Sequence, residues 1–335
     1  MTIAALSEDA LVAQLHRIVA GTAGTRILLG IGDDAAVWQP SRSHRSVITS
    51  DALVEGVHFT RDTMPPYDAG WRAAVASLSD LAAMGARPVL ATVVLGVPAD
   101  AGLELLVELY RGLAAAAQSE GLAIAGGDLT RSPSLSIGMT AIGEVRASRV
   151  KRRDGARAGD AIAVTGPLGA SRAGLDAARG VVTLSEGDEE EALRAHRRPR
   201  ARVREGRWLA ASESVRAMMD CSDGLSTDLA RLCAASGVAG VVEDVPVAPS
   251  ARAAARAKGE DARTYALSGG EEYELIVAVR PRAFARLATR FRARFGRTLE
   301  RVGFLRDGEG LFELRDGEER ALARSGWDHF SAGGA

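Results

Sequence analysis

Lysine is almost missing from this chain: of 42 basic residues, all but Lys151 and Lys258 are arginine. A Walker A loop places a lysine directly after a glycine, and neither lysine follows one, so that nucleotide-binding scheme is excluded. The protein-kinase signatures D-F-G and H-R-D are missing too. Only two cysteines occur, Cys221 and Cys233, and they form neither a metal-ligand spacing nor a disulfide framework. That usage suits a reducing cytosol and predicts a cytoplasmic protein. No apolar run approaches the roughly 18 residues of a membrane span. The first twenty residues, "MTIAALSEDALVAQLHRIVA", lack a basic stretch followed by a long apolar one and read as an amphipathic helix rather than a signal peptide. A net charge of −1 gives no basic field, so no nucleic-acid partner is expected.

What is present is an ordinary globular composition, 47% hydrophobic and 25% charged, in 335 residues, enough for two cores. Periodicity predicts a helix over 8–20, short strands at 26–29, 35–38 and 46–50, and a helix over 68–85. A buried strand in "RPVLATVVLGVP", a helix over 100–119 and strands in "LAIAGG" and "SLSIGMTAIGEV" follow. The charged stretch 146–160, which has no apolar period, places the domain boundary and gives domains 1–148 and 149–335. The second half mixes strands at 161–165, 215–219, 273–279 and 300–305 with helices at 169–179, about 201–212, 224–235 and 282–294. Without strict βα alternation, the expectation is α+β. The acidic run 185–191 and the Arg-rich segment 194–207 read as solvated faces.

Acidic residues gather at strand ends and glycine turns. Asp33 and Asp34 stand together in "GIGDD", Asp51 in "TSDALVEGVHF", Asp128 in "AGGDLTR", Asp220 and Asp223 in "DCSDGLS", and Glu271 and Glu272 in "SGGEEYEL". Asp80 lies inside a helix among Ala76, Ala83 and Met84, where a carboxylate needs a partner. Taken singly, "GIGDD" and "GGD" are explicable as turns and Asp223 as a helix N-cap. Taken together they suit a hard cation, which wants oxygen ligands and, as Mg²⁺ bound with phosphates, few carboxylates. Hydroxyls in "TSD" add donors, and the glycine pairs before Asp128 and Glu271 would let backbone approach an anion. Carboxylates, glycine loops and few lysines imply phosphoryl transfer with metal ions offsetting phosphate charge.

A formal dinucleotide match in "GIGDDA" fails because a pyrophosphate would face Asp33 and Asp34, and "VWQPSRS" follows where a helix should begin. His58 follows the possible metal strand and is read as a substrate contact. No Ser-His-Asp or Cys-His arrangement is visible, and Cys221 is read as a packing residue.

In this order, the blocks "GIGDDAAV", "TSDALVEGVHF", "SLSDLAAMGARP", "GGDLTR", "DGARAGDAIAVTGPLG", "DCSDGLSTDL", "LSGGEEYEL" and "GWDHF" resemble the thiamine-monophosphate kinase family, within the superfamily that includes aminoimidazole-ribonucleotide synthetase. The resemblance implies two mixed α/β domains of that type and ATP- and Mg²⁺-dependent phosphorylation of thiamine monophosphate, using several Mg²⁺ ions. It also implies a homodimer paired through N-terminal sheets, with the active site between domains. By the same resemblance, metal positions fall on Asp33, Asp34, Thr49, Ser50, Asp51, Asp80, Asp128, Asp220 and Asp223. ATP contacts fall on Tyr110, Gly127, Asp128, Arg153 and Ser222, and thiamine-phosphate contacts on His58, Glu271 and Trp327. Ser50 replaces a usual Thr, Glu272 a usual Asp, and Trp327 occupies a variable aromatic position. The nucleophile would be a phosphate oxygen, already ionised with its second pKa near about 6, so no general base is needed. Selenophosphate synthetase would need an N-terminal reactive cysteine, and the hydrogenase-maturation relative a C-terminal one. A non-catalytic nucleotide-binding protein and a protein with merely wet acidic turns are the remaining alternatives.

Overall fold

The amphipathic N-terminal segment folds as helix α1 (Glu8–Val19), which buries Leu11, Leu15 and Val19. The computed structural model describes residues 8–22, 24, 26–31 and 35–327. The chain divides into two units, 1–81 with 86–148, and 82–85 with 149–335.

In the first unit, β1 (Ile27–Leu29) and β2 (Val37–Trp38) pair as an antiparallel ribbon. Then come β3 (His44–Val54), α2 (Pro66–Ala83), β4 (Arg87–Val97), α3 (Leu103–Ser119), β5 (Ala123–Arg131) and β6 (Ser136–Arg146). The four long strands form a sheet in the order β3-β6-β4-β5; β4 and β5 run parallel and the other pairs antiparallel. One face is covered by α2: Ser77 Oγ donates to the Met139 carbonyl at 3.4 Å, and Val93, Ile137, Met139 and Ala141 are buried. Helices α2 and α3 touch backbone to backbone. A methyl on Gly70 would lie 1.9 Å from the Leu109 carbonyl oxygen, and one on Gly112 1.8 Å from that of Tyr67. The other face is covered at one end, where Ile27, Ala36 and Trp38 pack on Val89, Leu90, Ala123 and Ala125. It is otherwise open, with Ile48 66% and Val94 49% exposed.

The second unit contains β7 (Ala161–Val164), α4 (Ala170–Ala178), α5 (Glu186–Arg197), α6 (Val203–Ala210), β8 (Val215–Cys221), α7 (Leu225–Ser236) and β9 (Ala239–Val242). It continues with α8 (Pro249–Lys258), α9 (Ala262–Ser268), β10 (Glu274–Val279), α10 (Pro281–Phe295), β11 (Glu300–Arg306), β12 (Leu311–Arg315) and β13 (Glu318–Ala321). The sheet order is β13-β12-β9-β11-β7-β10-β8, antiparallel except for β12 with β9. Every residue of β7 and β10 is buried, as their near-continuous apolar sequences require of strands covered on both faces. One core joins Val164, Met219, Cys221 and Ile276 to Leu225 and Leu229 of α7 and Ala251 and Ala254 of α8. Elsewhere in the unit, Trp208 of α6 meets Phe291 and Phe295 of α10 edge-on, at centroid distances of 6.0 and 5.8 Å.

The α+β expectation holds, with local corrections. The run 185–191 belongs to α5: Ser185 caps it, Glu186, Asp188 and Glu189 fill its first turn, and Arg194, His196 and Arg197 its last. That arrangement complements the helix dipole. "GGD" is no turn but the middle of β5. A methyl on Gly127 would sit 2.0 Å from the Val93 carbonyl oxygen, so the neighbouring strand itself requires this glycine. Asp223 is not the N-cap of α7; Gly224 is, at φ 105°. Both lysines hold structure: Lys151 Nζ donates to the carbonyls of Ser212 (3.2 Å) and Val215 (2.6 Å), and Lys258 Nζ to Asp176 (3.0 Å).

Candidate active site

In the first unit, the expected residues lie on the sheet and on α2. Thr49 and Asp51 face α2 from β3, opposite the buried Ala141 and Met139. The Thr49 hydroxyl donates a short hydrogen bond to Asp80 Oδ2, which gives the mid-helix carboxylate its partner. Ser50, one residue along, is on the reverse face by strand alternation, where its Oγ lies 2.8 Å from Thr140 Oγ1. Exposed Asp128 pairs with Val94, in the row that also holds Gly138 and Ala52, on this open side of the sheet. The sheet thus separates Ser50 and Asp128 from Thr49, Asp51 and Asp80. Tyr110 is buried in α3, and burial pushes its phenol up to about 12. His58 closes the turn after β3. Its Nδ1 accepts the Val54 N–H at 3.0 Å, so a neutral ring carries its proton on Nε2. Asp33 and Asp34 lie outside the described residues.

In the second unit, three segments are laced together through backbone. The Ser222 carbonyl accepts the Glu271 N–H (2.6 Å), the Cys221 carbonyl that of Tyr273 (2.9 Å), and the Asp223 carbonyl that of Trp327 (2.9 Å). Asp220, Ser222, Asp223, Glu271 and Trp327, far apart in sequence, therefore meet at the C-terminal end of β8. Glu271 and Tyr273 take left-handed backbone, φ 61° and 54°, a conformation that costs a non-glycine residue about 1–3 kcal/mol unless its surroundings enforce it. Arg153 is exposed in a turn tied to this region by Ser236 Oγ donating to its carbonyl at 2.6 Å and Met218 N–H to that of Arg152 at 3.3 Å.

Sequence reasoning missed the groups that hold this turn. Buried Asp228 accepts the N–H groups of Ser222 (3.0 Å) and Asp223 (2.9 Å) through Oδ2. Arg231 Nη1 bridges Asp228 Oδ1 (2.9 Å) and, more closely, Asp223 Oδ2. Burial, reinforced by Asp223, raises the Asp228 carboxyl to about 6. The helical i, i+3 spacing of Asp228 and Arg231 was the available signal. Glu272 faces elsewhere: its Oε1 accepts from Gly169 N–H (2.8 Å) and Ser171 N–H (3.2 Å) at the start of α4. Burial raises its carboxyl to about 8 against those two hydrogen bonds.

The donors are carboxylate and hydroxyl oxygens, the chemistry of a hard divalent cation. Among the described residues, no group of three or more His, Cys, Asp or Glu side chains is placed to hold a metal ion. The residues therefore fit Mg²⁺ held by one or two carboxylates with waters and phosphate oxygens, and do not fit an all-protein cage.

Residues 32–145 match the AIR synthase related protein N-terminal domain, and residues 157–312 the corresponding C-terminal domain. The two units and their oxygen-lined turns are thus those of an AIR synthase-related protein. The chain is 41% identical over 255 residues to thiamine-monophosphate kinase of Synechococcus elongatus, covering 75% of this chain and 77% of that one. It also resembles the crystal structure of thiamine-monophosphate kinase from Stenotrophomonas maltophilia K279a, with TM-score 0.82, 36% identity and coverage of 94% and 98%. A further similar structure is AaThiL complexed with AMPPCP and TMP, at TM-score 0.76, 29% identity and coverage of 98% and 99%. The chain belongs to the thiamine-monophosphate kinase family.

Proposed function

We propose that this protein transfers the γ-phosphoryl group of ATP to thiamine monophosphate, giving thiamine diphosphate and ADP. Family membership over most of the chain supports the reaction class. The observation that carries it to this chain's own residues is the laced turn, which assembles Asp220, Ser222, Asp223, Glu271 and Trp327. Mg²⁺, when bound, would offset the charge of the two phosphates that must meet. In this reading Asp33, Asp34, Thr49, Ser50, Asp51, Asp80, Asp128, Asp220 and Asp223 hold the ions. Gly127, Asp128, Arg153 and Ser222 contact ATP, and His58, Glu271 and Trp327 contact thiamine monophosphate. Tyr110, buried in α3, acts through the helix rather than by touching ATP.

Positioning is the chain's main contribution, because the acceptor phosphate is already ionised and attacks in line without a general base. Asp228 and Arg231 fix the turn that carries Ser222 and Asp223. His58 offers an Nε2–H donor, suited to an anionic or acceptor-bearing substrate. The open sheet face with Ile48 and Val94 supports a homodimer formed through the first unit. Two reduced, buried thiols support a cytoplasmic setting. No helix among the described residues is long and apolar enough to cross a membrane.

The test incubates purified protein with ATP, Mg²⁺ and thiamine monophosphate, with unphosphorylated thiamine in parallel. Thiamine diphosphate from the monophosphate alone is the expected result. Absence of product, with ATP binding intact, would discard the substrate assignment. Asp34→Asn should abolish activity or shift its Mg²⁺ dependence; an unchanged Mg²⁺ profile would remove Asp34 from the metal set.

A further inference from the structure

The second unit contains a cavity of about 640 Å³ at the end of the sheet where β7 stops and β10 begins. None of the residues assigned above to metal, ATP or thiamine monophosphate lines it. Six arginines do: Arg194, Arg198, Arg200, Arg202, Arg292 and Arg297. Only three carboxylates face them, Glu191, Glu272 and Glu274, and each is engaged in the fold. Glu191 Oε2 accepts the Ser250 N–H at the start of α8 (2.9 Å), and Glu272 caps α4. Glu274 takes Arg202 through Nε (2.9 Å) and Nη2 (2.6 Å), and Arg297 through Nη2 (2.7 Å).

The floor is built to tight tolerance: a methyl on Gly166 would sit 2.3 Å from Arg297 Nη2 and 2.6 Å from Glu274 Oε1. Arg200, beside α6, and Arg292, in the last turn of α10, add positive charge that no carboxylate of the described residues pairs at ion-pair distance. A concave site of several hundred Å³ is of small-molecule size. Planar guanidinium forks match phosphate oxygens in particular.

We infer that this arginine-lined cavity binds a phosphate-bearing small molecule of at least two negative charges, without a metal ion and apart from the residues assigned to catalysis. Metal independence separates it from the carboxylate-rich turn, where a bare phosphate would meet like charge. Arginine spacing across the cavity suits a diphosphate better than a single phosphate.

The test is isothermal titration of the purified full-length protein with inorganic diphosphate in EDTA, with no divalent cation. Wild type should bind one equivalent saturably, more weakly as salt rises, and inorganic phosphate should bind less tightly. Arg200→Gln with Arg292→Gln changes two exposed side chains and should weaken diphosphate binding about a hundred-fold, roughly ten-fold for each charged hydrogen-bond donor lost. Circular dichroism of that variant should match wild type. Asp223→Asn, in the carboxylate turn, should bind metal-free diphosphate as wild type does. No saturable binding by wild type, full binding by the double arginine variant, or loss of binding in Asp223→Asn would each overturn the assignment.

Discussion

Glu274→Ala should be among the most damaging single substitutions in the second unit. Its side chain is 5% exposed and collects Thr165 Oγ1 at 2.6 Å in addition to Arg202 and Arg297. Burial alone would push its carboxyl up, but Arg202, Arg297 and Thr165 more than reverse this and hold it below the usual glutamate range. Alanine leaves Arg202, 12% exposed, with its charge uncompensated. Breaking a buried pair from one side costs about 3–5 kcal/mol. Glu274→Gln keeps an acceptor for one arginine and should cost less, about 1.5–3 kcal/mol. Arg297→Ala removes a half-exposed partner and should cost least of the three. Urea unfolding at pH 7, followed by Trp208 fluorescence, measures all three. Because the folded-state pKa is depressed, the Glu274 contribution is full above the unfolded value and fades as acid protonates the folded carboxylate. The Ala variant should therefore converge on wild type as the pH falls. A cost below about 1 kcal/mol at pH 7 would mean the cluster behaves as a surface pair, refuting the reasoning. Glu318→Ala, which removes the exposed partner of Arg320, is the control and should unfold as wild type.

Glu144 offers a similar test in the first unit: burial raises its carboxyl, but Arg26 and Ser41 bring it down to about 2. Its stabilisation should be complete above pH 4.5 and fall by about 1.4 kcal/mol per pH unit toward 2, and Arg26→Gln should flatten that acid limb in pH-jump unfolding. Gly112→Ala must push α2 from α3 and should lower stability by about 1–3 kcal/mol or more, seen as a drop in melting temperature; an unchanged melting temperature would show the contact to be loose. Ile48→Asp with Val94→Asp should convert a dimer to a monomer by light scattering. A wild-type monomer, or a dimeric variant, would refute pairing through the open face.

Where apolar periodicity was strong, the sequence read well: α1, α2, α3, β4 and α10 fall within a few residues of expectation. It read poorly where charge or small residues hid the pattern. In α5 the acids and arginines masked a helix that charge order along its axis supports. In β3, the alternating exposed residues of a half-open strand looked like a loop after Asp51, yet the strand runs to Val54. Alanine-rich α8 shows its apolar face too weakly to stand out. The carboxylates were legible as a set, but not their supports: Asp228, Arg231, Glu272 and Glu274 act through partners distant in sequence or through backbone groups that carry no side-chain signature. The arginine run was legible only as charge, since its partners Glu274 and Arg297 arrive from β10 and the segment beyond α10.

The adjacent glutamates 271 and 272 look like a duplication, yet the fold has made them unequal. Glu272 is committed to a helix end, while Glu271 stands on a left-handed residue locked by the Ser222 carbonyl. The variants open to position 271 are therefore filtered by the main chain before any ligand is met. Asn, Asp and Gly accept that backbone readily, whereas β-branched residues do not. Efforts to retune selectivity at this position will find a short alphabet, and a substitution that fails there may report torsional strain rather than lost recognition.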